Sequence, residues 1–131
     1  MNGLHLIGDL TGCRCDPQLL LDGERFRAKC LEMVSASGLT TMDATFHTFD
    51  GGGFTGTVVL AESHLAIHTW PEYRYAAVDI FSCGEVLQPE VAANYLVEQF
   101  AAERTSIVEM QRGMFLNSAV PIVNKSPVPI S

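Results

Sequence analysis

From Ser63 to Trp70 the chain reads SHLAIHTW, and after a break at Pro71 a second run from Tyr75 to Cys83 alternates in the same way. Side chains two apart share a face of a strand, so the first run sets Ser63, Leu65, Ile67 and Thr69 on one side and His64, Ala66, His68 and Trp70 on the other. Two such runs in succession call for an antiparallel sheet with one covered face. Neighbouring segments extend it. Thr40 to Phe49 and the β-branched stretch Phe54 to Ala61 flank three glycines, Gly51 to Gly53, and together predict a hairpin. Leu4 to Leu10, closing at Thr11-Gly12, predicts a first strand, and Thr105 to Glu109 a last one.

Two segments carry helical spacing instead. Asp22 is a candidate N-cap for a helix with Phe26, Cys30, Met33, Val34 and Ser37 on one face, stopped by Gly38. Pro89 suits a first helical position, with Val91, Ala92, Tyr95, Leu96 and Phe100 forming an apolar face up to about Glu103. The element order predicts an α+β fold, a largely antiparallel sheet with two helices on one face. The uncovered face would be buried by a second sheet, so homodimerisation is expected to complete an α/β sandwich. Residues 117–131 contain three prolines and little periodicity, and are expected to form a loose tail.

At 131 residues the chain is expected to be a single domain, 1–131. Hydrophobic residues make up 47% of it, too many for disorder, yet no window approaches the ~20 apolar residues of a membrane span. The start, Met1 to Asp9, has no secretory pattern, so the expected address is the cytoplasm. A formal charge of −7 argues against nucleic acid or an anionic membrane as partner and favours a cationic small molecule. Cys13, Cys15, Cys30 and Cys83 show no metal-ligand spacing and, in a reducing compartment, no disulfide framework. No metal site is expected.

The reactive side chains concentrate between Glu62 and Cys83. Half-buried His and Trp on a strand pack as readily as they catalyse, and no nucleophile-elbow motif is present. The particular string, however, is distinctive. Ala61-Glu62-Ser63-His64-Leu65-Ala66-Ile67-His68-Thr69-Trp70-Pro71-Glu72 with Tyr75-Ala76-Ala77-Val78-Asp79-Ile80-Phe81-Ser82-Cys83-Gly84 resembles the prokaryotic S-adenosylmethionine decarboxylase proenzymes. So do Gly3-Leu4-His5-Leu6, Thr45-Phe46-His47 and Arg112-Gly113-Met114.

The resemblance implies a self-processing enzyme cleaved between Glu62 and Ser63 into chains 1–62 and 63–131, with Ser63 becoming a covalently bound pyruvoyl group. By this likeness the Ser63 hydroxyl attacks the Glu62 carbonyl, Thr55 supplies the oxyanion donor, and His68 removes the α-proton of the esterified serine. The pyruvoyl group then forms a Schiff base with the substrate amine, and Cys83 protonates the substrate carbon. Glu72 corresponds to a residue that accepts from the ribose hydroxyls, Phe49 and Trp70 are candidate aromatic platforms for the adenine or the sulfonium, and Leu65 is a candidate neighbour. The implied activity supplies the aminopropyl donor for spermidine biosynthesis.

Three departures from the family pattern stand out. Thr55 replaces the usual serine, keeping the hydroxyl but adding a rotamer-restricting methyl. Asp9 stands where a glutamate is more usual. Asp50-Gly51-Gly52-Gly53-Phe54 replaces a more apolar, proline-containing loop, and the Asp50 carboxylate would suit a guanidinium or ammonium group, as in relatives that decarboxylate arginine or ornithine. The plainer reading of Asp50, and the favoured one, is a turn carboxylate before glycines. A non-processing, non-catalytic homologue is the reading from another functional class.

Overall fold

The computed structural model describes residues 3–61, 63–83 and 88–113. Six strands, β1 (Gly3–Cys13), β2 (Asp43–Thr48), β3 (Phe54–Val59), β4 (Ser63–Trp70), β5 (Tyr75–Cys83) and β6 (Ala102–Arg112), form one sheet. Among the described residues three α-helices, α1 (Gln18–Leu21), α2 (Gly23–Ala36) and α3 (Pro89–Phe100), accompany it. All pairings are antiparallel, and the strand order is β2-β3-β4-β5-β1-β6. The first strand in sequence is therefore threaded between the last two.

The alternation works as the sequence predicts. Ser63, Leu65, Ile67 and Thr69 of β4 are buried, and Val58, Val78, Ile80, Leu6 and Leu10 join them from the other strands. Against them pack Phe26, Cys30, Met33 and Val34 of α2 and Ala92, Ala93, Leu96 and Phe100 of α3. Phe26 stacks on Phe100 at 4.4 Å and on Phe54 at 5.7 Å between ring centroids, tying both long helices to the sheet. Among the described residues the opposite face carries no helix. Ile7, Val59, Trp70, Val108 and Met110 are exposed there, among polar side chains.

Local signals account for most of the element ends. The Asp22 carboxylate caps α2 by accepting from Glu24 N–H at 3.0 Å, and Pro89 opens α3. The structure departs from expectation in four places. A third helix, the single turn α1, follows Asp16-Pro17, where Asp16 accepts from Gln18 N–H at 3.0 Å. One turn is too short for periodicity to reveal. β6 runs the full length of β1, well beyond Thr105 to Glu109, because β1 offers eleven residues of partner edge. α3 ends at Phe100, where Ala101 adopts a left-handed conformation (φ 48°). Val91 faces solvent, its place on the buried face being taken by Pro89 and Ala93. The tail 117–131 lies outside the described residues.

Candidate active site

The glycine turn and the end of β4 build one half of the site. Phe49 N–H donates to the Gly53 carbonyl at 2.8 Å and Gly52 N–H to the Phe49 carbonyl at 3.0 Å, closing a tight loop. All three glycines have positive φ, between 87° and 100°. α1 holds this loop from behind: Gly53 N–H donates to the Leu21 carbonyl, and the Thr69 hydroxyl donates to the Leu20 carbonyl at 2.7 Å while accepting from Phe54 N–H at 2.9 Å. Thr69 is a site residue to which sequence reading gave no role; its signal was a hydroxyl at a buried strand position.

Beyond that clamp, Thr55 of β3 and His68 of β4 are register partners on the open face, and Thr55 Oγ1 and His68 Nδ1 share a hydrogen bond of 3.0 Å. The bond commits Nδ1 and leaves proton exchange to Nε2. Both residues line a cavity of about 350 Å³ with Phe49, Trp70 and Glu72, floored by Gly52, Phe54 and Thr69. Trp70 and Phe49 are about half exposed, so their ring faces are available, and Trp70 stacks on Tyr75 at 5.2 Å. Glu72 sits on a 3₁₀ turn, Pro71–Tyr73, that carries the chain from β4 to β5. A rim of aromatic faces, one carboxylate and a hydroxyl–imidazole pair fits a cationic, partly aromatic ligand.

Ser63 occupies the other end of β4, five residues and about 16 Å from His68 along the strand, and on the opposite face. It is 5% exposed, and its hydroxyl has no hydrogen-bond partner among the described residues. Leu60 N–H donates to the Ser63 carbonyl at 2.8 Å, so only residues 61 and 62 separate two paired positions. Ser63 pairs with Ser82, and Cys83, at the end of β5, follows Ser82 and pairs with Gly3. The Cys83 side chain and Glu62 lie outside the described residues.

The structure thus groups Thr55, His68, Phe49, Trp70 and Glu72 and, separately, the backbone positions of Ser63 and Cys83. His64 and His68, on the same face as the alternation predicts, part company: His64 turns to Asp79 and His68 to Thr55. Two expected binding residues stand outside the cavity. Leu65 is fully buried in the core, because strand alternation puts it on the covered face. Asp50 is exposed on the loop and does not line the cavity, because the turn points it outward. Cys13 and Cys30 are core residues whose thiols burial pushes up to about 11 and about 12, far from reactivity at neutral pH.

The site thus holds a buried hydroxyl without a partner among the described residues and, on the other face, a hydroxyl–imidazole pair at a half-open pocket, groups of the kind that acyl transfer and the binding of a small cation call for. Residues 4–113 match the family described as S-adenosylmethionine decarboxylase. Proteins named S-adenosylmethionine decarboxylase proenzyme are 46% identical over 112 residues in Thermodesulfovibrio yellowstonii (86% of this chain, 82% of the relative) and 49% identical over 119 residues in Acidithiobacillus ferrooxidans (91% and 88%). The crystal structure of the adenosylmethionine decarboxylase from Aquifex aeolicus matches with a TM-score of 0.78 at 31% identity, over 91% of this chain and 97% of that one. The chain belongs to the S-adenosylmethionine decarboxylase family. Among the described residues no helix is long and apolar enough to cross a membrane.

Proposed function

We propose that the chain cleaves itself between Glu62 and Ser63 and then, as a homodimer of paired 1–62 and 63–131 fragments, decarboxylates S-adenosylmethionine to the aminopropyl donor used in spermidine biosynthesis. The observation that carries this reading is the Ser63 hydroxyl, buried and without a partner among the described residues, one residue past a two-residue hairpin connection. A buried hydroxyl left unpaired costs about 1–3 kcal/mol, which argues for a use other than folding. Attack on the preceding carbonyl needs no diffusible reagent. It does need a donor for the oxyanion and a base for the serine α-proton, the duties of Thr55 and His68.

Those two stand on the wrong face and about 16 Å away in the same protomer. A partner subunit whose Thr55 and His68 reach the end of the sheet formed by the start of β4 and the end of β5 supplies them instead, and the twofold repeats the exchange. The exposed apolar residues of the open face support a contact between subunits. Each half-site is incomplete alone, which is why dimerisation belongs to the function.

The residues at Ser63 fit a pyruvoyl group made from that serine, which when present serves as the electron sink for loss of carbon dioxide. Around it, Cys83 delivers a proton to the substrate α-carbon, Glu72 accepts from the ribose hydroxyls, and Phe49 and Trp70 hold the adenine and the sulfonium between ring faces. A reduced Cys83 suits the cytoplasm. Arginine or ornithine would need Asp50 at the pocket, and its exposed position outside the cavity lining lends that alternative no support.

Denaturing intact mass together with carbon dioxide release from carboxyl-labelled S-adenosylmethionine, arginine and ornithine tests the reading. Two fragments divided at residue 62, turning over only S-adenosylmethionine, are expected; a single 14.3 kDa species would leave the non-catalytic homologue standing. Mixing Ser63→Ala and His68→Ala chains tests the shared site. Heterodimers regain one working site if the halves come from different subunits and none if they come from the same one.

A further inference from the structure

Beside residue 63, on the open face, stands a cluster with no part in the chemistry above: His5 of β1, His64 of β4, and Asp79 and Phe81 of β5. His5 Nε2 bonds Asp79 Oδ1, and the same oxygen lies 3.9 Å from His64 Nε2. Arg112 of β6 reaches over the group, its Nη1 donating to His5 Nδ1 at 3.4 Å and its guanidinium lying 5.0 Å above the Phe81 ring. With Nδ1 accepting, His5 presents Nε2–H to the Asp79 carboxylate. The His64 ring stacks on Phe81 at 5.9 Å, and His5 meets both edgewise, at 6.4 Å and 5.7 Å. Phe81 in turn lies over Gly3, where an added Cβ would come within 3.1 Å of the ring, and Gly3 is the backbone partner of Cys83.

The cluster straddles the cleavage. His5 belongs to the 1–62 fragment, whereas His64, Asp79 and Arg112 belong to 63–131. Before cleavage residue 63 is tethered through its peptide bond to residue 62. In the intact chain the backbone of residue 63 pairs with Ser82 and accepts from Leu60 N–H, and the next side chain along the 63–131 fragment is His64. Resting on the function proposed above, we propose that Asp79, oriented by His5, is a positioning residue that holds His64 and thereby keeps the new terminus at residue 63 in register beside Cys83. A terminus misplaced by about 1 Å costs on the order of 100-fold in rate. It also invites protonation at the wrong carbon, which leaves residue 63 as an alanine carrying the substrate nitrogen, while the substrate carbon departs as an aldehyde after water adds.

Full-length wild type, Asp79→Ala, Asp79→Asn and His64→Phe test this. His64 is half exposed and the phenylalanine preserves stacking on Phe81, so that variant is the safeguard should Asp79→Ala fold poorly. Denaturing mass reads cleavage, peptide mapping after a fixed number of turnovers reads alanine against pyruvoyl at residue 63, and steady-state kinetics give kcat and KM for S-adenosylmethionine. The expected result is complete cleavage in all four, kcat lower by about 10- to 100-fold in Asp79→Ala and His64→Phe with KM little changed, and a raised alanine fraction. Asp79→Asn, whose amide oxygen still accepts from His5, recovers most of both. Unchanged kcat and alanine fraction overturn the proposal, as does a lower kcat without the rise in alanine, or failure of cleavage in Asp79→Ala and His64→Phe. A wild-type chain that does not cleave refutes the function beneath it instead.

Discussion

Thr69 shows how much a single hydroxyl decides here. It joins α1, β3 and β4 through two hydrogen bonds, of 2.7 Å and 2.9 Å, at a position 6% exposed. Thr69→Val keeps the shape but strands the Leu20 carbonyl and the Phe54 N–H, and is expected to cost about 1–3 kcal/mol in denaturant unfolding. Thr69→Ser retains both bonds, with a cost of about 1 kcal/mol for the lost methyl group. Because Phe54 precedes Thr55, the valine variant is also expected to slow cleavage at residue 62, read by the mass of fragments over time.

At the scale of elements, the β2–β3 pair positions the Thr55 hydroxyl by close approach. Gly56 lies under the Phe46 ring, where an added Cβ would stand 2.2 Å from a ring carbon. Gly56→Ala must push the ring aside, an overpacking expected to cost about 1–3 kcal/mol and to disturb the neighbouring Thr55–His68 pair. Thermal unfolding and cleavage rate should both register it. By contrast Gly38 and Gly51 meet nothing within 4 Å. Phe26 acts between elements: its rings-in-contact with Phe54 and Phe100 make Phe26→Ala a loss of about 3–5 kcal/mol.

Across the whole molecule, the strand order has a mechanical consequence. The cleavage proposed between Glu62 and Ser63 would assign β1, β2 and β3 to one fragment and β4, β5 and β6 to the other, with β1 clamped between β5 and β6. The two fragments are expected to co-elute in native chromatography after complete processing and to separate only in denaturant. Global stability should fall in alkali. Burial raises the Cys13 and Cys30 thiols from near 9 to about 11 and about 12, and the hydrogen bond to Asp9 raises the Tyr75 hydroxyl from near 10 to about 12. The folded chain therefore keeps protons that the unfolded chain releases. Their contribution is whole below about pH 9 and is lost as pH rises towards 12, so melting temperature should drop across that range and drop less steeply in Cys30→Ala.

Period-two alternation, the Asp22 cap, the Pro89 start and the glycine turn were legible because each is a local consequence of neighbouring residues, and they placed β3, β4, β5, α2 and α3 closely. The resemblance singled out Thr55 and His68, and the register sets them opposite each other. The one-turn α1 was too short to show a period, and the outward face of Val91 depended on how α3 rolls against the sheet. What only the tertiary structure decided was the insertion of β1 between β5 and β6, which carries His5 to Asp79 across 74 residues. Local chemistry chooses each element from backbone and side-chain preferences within a few residues. Which strands become neighbours depends on the burial of one shared core, a property of the whole chain that no short window contains.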